Sequence, residues 1–154
     1  MNEPASKQPW LPPRWFIRLA WKVHRGLYRI SGGRFGLRRP KEDTYGLMRV
    51  TTIGRRTGEE RAVMLGYFED GDDLVTMAMN GWGAPEPAWW LNLQAHPEVR
   101  VETPDADRTM CGRAADATER TRLWARWGEI DNDLDGYAAR RPSETAVVIF
   151  EPIS

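Results

Sequence analysis

Cysteine and histidine are scarce in this 154-residue chain: one cysteine, Cys111, and two histidines, His24 and His96. A single thiol excludes an internal disulfide framework and any all-cysteine metal site. The two histidines have no carboxylate cluster beside them and give no zinc-type ligand set. His24 falls inside a helical pattern and His96 at a helix end before Pro97, so both read as structural. Cys111 lies in a strand-like run and is expected to be a buried thiol. No apolar run approaches the roughly 20 residues of a spanning helix. The stretch Met1–Gln8 is polar, without a signal-peptide core, so a cytoplasmic setting is expected.

Net charge is absent too, with 22 Lys/Arg against 22 Asp/Glu, but the balance hides a split. Residues 1–61 carry 14 Lys/Arg and 5 Asp/Glu, and residues 62–154 carry 8 and 17. A basic half points to an anionic partner: a phosphorylated ligand, a lipid surface or nucleic acid. Nucleic acid is the weakest of the three, because no binding motif accompanies the charge.

Pro12-Pro13 suits the first turn of a helix running to Ile30. Arg14, Arg18, Lys22, Arg25 and Arg29 stack into a basic stripe on it, against an apolar line of Trp15, Leu19, Val23 and Leu27. Ser31-Gly32-Gly33 ends it. Such a helix either covers a core or lies on an anionic membrane surface, where residues 14–30 would bring the protein to the inner face.

Beyond a basic connector, hairpins dominate. Strands are expected at 47–53, 61–69 and 74–79, joined by Gly54-Arg55-Arg56-Thr57-Gly58 and by Asp70-Gly71-Asp72-Asp73. Glycine and proline exclude regular structure from 80–87. A short helix over 88–95 precedes a hairpin of 98–103 with 108–115. Asp116 and Glu119 form a capping box for a helix to about Ile130. A helical piece at 134–141 and a last strand at 145–151 complete the pattern. The fold class is α+β, mainly antiparallel: one domain over residues 1–154, a barrel of about six strands with flanking helices.

Two stretches are candidates for chemistry. The Arg55–Gly58 turn is either an ordinary solvated hairpin turn or an anion cradle of two guanidiniums and free amides, with Arg61 nearby. The run Ala78–Asn92 holds a glycine-rich loop that lets backbone approach a flat ligand. Trp89 and Trp90 either wall that ligand or anchor the helix through Trp89 and Leu93. Asn80 and Gly81 suit a ligand better than a core.

The run Thr51–Gly58 with Arg61 and Leu65-Gly66-Tyr67 resembles the deazaflavin (F420)-dependent nitroreductase/quinone reductase family. So do Asn80-Gly81, Pro87–Leu93, Ala95-His96-Pro97, Val23-His24, Tyr28–Gly33 and Glu151-Pro152. The resemblance covers roughly residues 23–152 and implies a split β-barrel. It implies that Arg55, Arg56, Thr57, Gly58 and Arg61 bind the cofactor's phosphate-and-glutamate tail. Met64, Leu65, Ala78, Met79, Asn80, Trp89, Trp90 and Asn92 would border the ring and ribityl chain. Departures from the family pattern are Arg56 for a frequent lysine, Met64 for a frequent proline, and Met79 for a small hydroxyl residue. Of a tyrosine-rich substrate-lining stretch only Tyr137 is kept, which either orients or protonates the acceptor or simply packs.

The implied activity is hydride transfer from F420H2 to a quinone or another electron-poor conjugated or nitro compound. The alternatives are an FMN-using split-barrel oxidoreductase and a non-catalytic, membrane-attached F420-binding protein.

Overall fold

The computed structural model describes residues 36–83 and 85–153, together with Arg14, Trp15, Arg18 and Leu19. These four residues are helical, and the rest of the expected N-terminal helix, its Ser31-Gly32-Gly33 stop and His24 lie outside the described residues. Six antiparallel strands follow: β1 (Gly46–Ile53), β2 (Glu60–Asp70), β3 (Asp73–Met77), β4 (Glu98–Glu102), β5 (Asp107–Ala114) and β6 (Val147–Pro152). They close into a barrel in the order β1-β2-β3-β6-β5-β4, with β4 returning to β1 through Val50 opposite Val101. Closure leaves these strands without a free edge.

Strand alternation divides the apolar residues into two cores. Met48 and Val50 of β1, Leu74 of β3, Val99 and Val101 of β4, Met110 of β5, and Val148 and Phe150 of β6 fill the barrel interior. The short helix α1 (Ala88–Ala95) adds Trp89, Trp90 and Leu93 to that core. The neighbouring residues Val75, Met77, Val147 and Ile149 face outward. There α2 (Ala117–Ile130) and α3 (Leu134–Ala138) cover them with Leu123, Trp127 and Leu134. Both faces of β3 and β6 are thus buried, which is why these strands read as near-continuous apolar runs.

The capping box at α2 is present in full: Asp116 accepts from the Glu119 amide at 2.8 Å, and Glu119 accepts from the Asp116 amide at 3.1 Å. Cys111 departs from expectation, being half-buried. The alternation of β5 turns Met110 and Gly112 into the barrel and Cys111 outward. The 134–141 piece is helical only to Ala138, and the last strand begins at Val147 rather than at 145.

Candidate functional site

The Arg55–Gly58 turn is built by its ends. The Gly54 amide donates to the Glu59 carbonyl at 2.7 Å and the Gly58 amide to the Gly54 carbonyl at 2.8 Å. Gly58 takes φ +71°, a left-handed conformation that glycine adopts without penalty. A Cβ on Gly54 would sit 2.8 Å from the Thr57 hydroxyl, which itself accepts from the Glu59 amide at 3.2 Å. The turn is therefore closely packed against itself while its side chains stay exposed.

Asn92, on the buried side of α1, ties this turn to the barrel. Its Oδ1 accepts from the Arg55 amide at 3.1 Å and from the Arg55 guanidinium at 3.2 Å. Its Nδ2 donates to the buried Thr52 hydroxyl at 3.3 Å, and that hydroxyl donates to the Arg61 carbonyl at 3.3 Å. Asn92 thus orders the arginine turn. Arg61 pairs with Glu59 at 2.9 Å, whereas Arg56 has no carboxylate partner among the described residues. An exposed guanidinium left without a carboxylate beside a closely packed turn suits an incoming phosphate or carboxylate.

Two adjoining cavities run from this turn along β2. The first, about 400 Å³, is lined by Arg55, Arg56, Thr57, Arg61, Asn92 and Thr52 among others. The second, about 490 Å³, is walled mainly by apolar side chains: Met64, Leu65, Met77, Met79 and Trp89. Ala62, Val63, Asn80, Pro87 and Trp89 border both, so the two form one groove with a charged end and an apolar end. Thr76 lines the apolar end, but its hydroxyl donates to the Gly66 carbonyl at 2.6 Å.

Above the apolar end, the residues expected to be irregular form one 3-10 turn, Asn80–Trp82. Three successive residues have positive φ: Asn80 at 46°, Gly81 at 59° and Trp82 at 62°. Two of them are not glycine, so the turn is strained and held by its surroundings. Asn80 Nδ2 donates to the Pro85 carbonyl at 2.7 Å, which closes the loop on itself.

Most of the expected site residues meet in this groove, and four do not line it. Ala78 and Trp90 face the barrel core, because strand alternation and helix phase turn them away from their neighbours Met79 and Trp89. Gly58 supplies the turn's shape from outside both cavities. Tyr137 lies on α3, its ring stacked on Trp82 with centroids 5.9 Å apart and planes 11° apart. It supports the strained loop from behind.

Among the lining residues that sequence reasoning missed are two cations. Arg14 and Arg18, read there as part of a basic stripe facing solvent or lipid, border the apolar cavity. The Arg14 guanidinium lies so close to Gly83 that a Cβ at that position would collide with it. Their four-residue spacing was the available signal, but nothing in the sequence fixes where the helix docks. Among the described residues no three His, Cys, Asp or Glu side chains gather as a metal site.

A sequence model described as F420H(2)-dependent quinone reductase matches residues 20–152. The chain belongs to the F420H(2)-dependent quinone reductase family. F420H(2)-dependent quinone reductases from two Mycobacterium tuberculosis strains are each 34% identical over 80 residues, covering 52% of this chain and 52% of theirs. The chain therefore spans about half the length of the curated relatives it matches. Among solved structures, a domain-swapped dimer superposes with TM-score 0.66 at 25% identity, over 91% of this chain and 100% of that one. An F420-H2-dependent reductase superposes with TM-score 0.61 at 25% identity, over 68% of this chain and 93% of that one. The family and the relatives named for F420 support F420 as the cofactor, and none of these names FMN.

Proposed function

We propose that this chain is an F420H2-dependent reductase that delivers hydride to a quinone-type, electron-poor acceptor. The groove carries this reading, because it joins an arginine-bearing turn to an apolar chamber under a strained glycine loop. Arg55, Arg56, Thr57 and Arg61 hold the acidic tail, with Arg55 pre-set by Asn92. Bidentate arginine contacts suit phosphate and carboxylate alike. Met64, Leu65, Met79 and Trp89 wall the ring and exclude water from it, while Gly81 allows close backbone approach.

When bound, the reduced deazaflavin supplies a hydride and no free radical chemistry is required of the protein. The chain's own task is to orient ring and acceptor face to face and to stabilise the charge that appears on the acceptor oxygen. Arg14 and Arg18 border the chamber as cations for that purpose. Tyr137, packed on Trp82, acts on the loop's shape.

Trp89 borders both cavities and makes a natural reporter. Titration with F420 quenches its emission, and Arg56→Ala weakens the affinity about tenfold, the scale of one charged hydrogen bond. Tight binding of FMN with none of F420 would contradict the assignment.

A contact with the inner membrane surface has one observation in its favour. Trp15 is 67% and Leu19 51% exposed, beside Arg14 and Arg18. No helix among the described residues is long and apolar enough to cross a membrane. Pelleting with anionic vesicles, lost on deleting residues 1–30, tests it; equal pelleting of both forms would sink it.

A further inference from the structure

Arg141 is the one arginine in the buried polar set, and its side chain has no exposed surface. Burying a guanidinium is costly unless its donors find acceptors. Here Nε and Nη1 find them. Nε donates to the Gly83 carbonyl at 3.0 Å. Nη1 donates to the Ala78 carbonyl at 3.0 Å and to the Thr145 hydroxyl at 2.8 Å. Nη2 forms an ion pair with the Glu86 carboxylate at 3.2 Å without a hydrogen bond, and that carboxylate accepts from the Ser143 hydroxyl at 3.2 Å.

The two carbonyls flank the strained turn, Ala78 before it and Gly83 after it. Asn80, Gly81 and Trp82 lie between them, all with positive φ. Without an external tie, a three-residue left-handed run containing two non-glycine residues would relax toward ordinary backbone. One planar guanidinium spans both sides of the run, a span that a single lysine nitrogen does not offer. Trp82 is fixed from the same direction by Tyr137, so the 134–145 segment as a whole backs the loop.

We propose that Arg141 is a positioning residue for the hydride-transfer site: it holds the Asn80–Trp82 turn over the apolar chamber by bridging its two flanking carbonyls. It touches neither cavity and acts only through the loop. The functional half of this statement rests on the reductase reading above, and the conformational half stands without it.

Arg141→Lys keeps the buried charge opposite Glu86 and removes the bridge. Amide hydrogen exchange of the cofactor-free protein reads the loop directly, because the Trp82 and Gly83 amides donate to the Met79 and Asn80 carbonyls at 2.6 and 3.1 Å. These two amides exchange about tenfold faster in the variant, while barrel amides keep their protection. Single-turnover hydride transfer from F420H2 to menadione slows about 100-fold, the scale of an ångström of misplacement. F420 affinity stays within about threefold, since the arginine turn is held by Asn92 instead.

Unchanged exchange at Trp82 and Gly83 would overturn the proposal, and so would unchanged hydride transfer beside faster exchange. Faster exchange spread evenly over the barrel would also overturn it, by making Arg141 a general stabiliser. If the wild-type protein transfers no hydride, the reductase reading fails and the exchange experiment alone decides the clamp. Arg141→Met, which removes charge and bridge together, must match or exceed Arg141→Lys in loop exchange for the clamp to hold.

Discussion

Asn92 and Arg55 are joined twice, by the Arg55 amide and by its guanidinium, both on the one Oδ1 of Asn92. Asn92 is 5% exposed, and Arg55 lies at the surface. A side chain anchored in the barrel core thereby sets the direction of a surface guanidinium. Preorganisation of this kind lowers the entropy lost when an anion binds.

Asn92→Ala is expected to weaken F420 binding about tenfold by freeing the turn, the scale of a charged hydrogen bond. The measurement is a fluorescence titration beside a thermal melt. A tenfold loss with a nearly unchanged melt supports the positioning role, and an unchanged affinity removes it.

Gly112 and Leu93 set the distance between β5 and α1. A Cβ on Gly112 would meet Leu93 Cδ2 at 2.6 Å and Cδ1 at 2.7 Å. Gly112→Ala therefore overpacks the barrel interior and costs about 1–3 kcal/mol in urea unfolding. A variant as stable as the wild type would show that α1 moves away freely, against its role as the rigid carrier of Trp89 and Asn92.

Glu119 links the α2 cap to the barrel through Arg113, at 2.7 Å. The Arg113 guanidinium, followed by the Asp116 amide, lowers its pKa from the usual 4.5 to about 2. A lowered folded-state pKa gives stability that is present above about pH 4.5 and is lost as pH falls toward about 2. The urea midpoint of Glu119→Gln should lie below that of the wild type at pH 7, with the gap narrowing by pH 3. A gap that is constant between those pH values would mean that charge plays no part.

The barrel was legible in the sequence because period-two alternation and turn residues mark hairpins well. Strand ends at 46–53, 60–70 and 107–114 lie within a residue or so of the pattern. The groove was legible because its residues sit in two compact motifs on adjoining elements. Arg141 was not, since in Arg140-Arg141-Pro142 it reads as a surface cation, and only the tertiary fold buries it. Trp90 packs in the barrel core while Trp89 borders the groove, because adjacent residues on a helix point about 100° apart, and the sequence does not say which of the pair faces the groove. Cys111 follows the same logic on a strand, where a shift of one residue exchanges inside for outside. Tyr137 is expected to orient or protonate the acceptor, and its ring stacks on Trp82 beside the loop.

Anaerobic mixing of the purified chain with F420H2 and menadione, followed by deazaflavin absorbance, tests the central claim most directly. The account predicts stoichiometric reoxidation of the deazaflavin, dependent on enzyme and slowed by Arg56→Ala. Tight F420 binding with unchanged absorbance across a panel of quinones would contradict it, and would make the chain a carrier of the cofactor rather than a reductase.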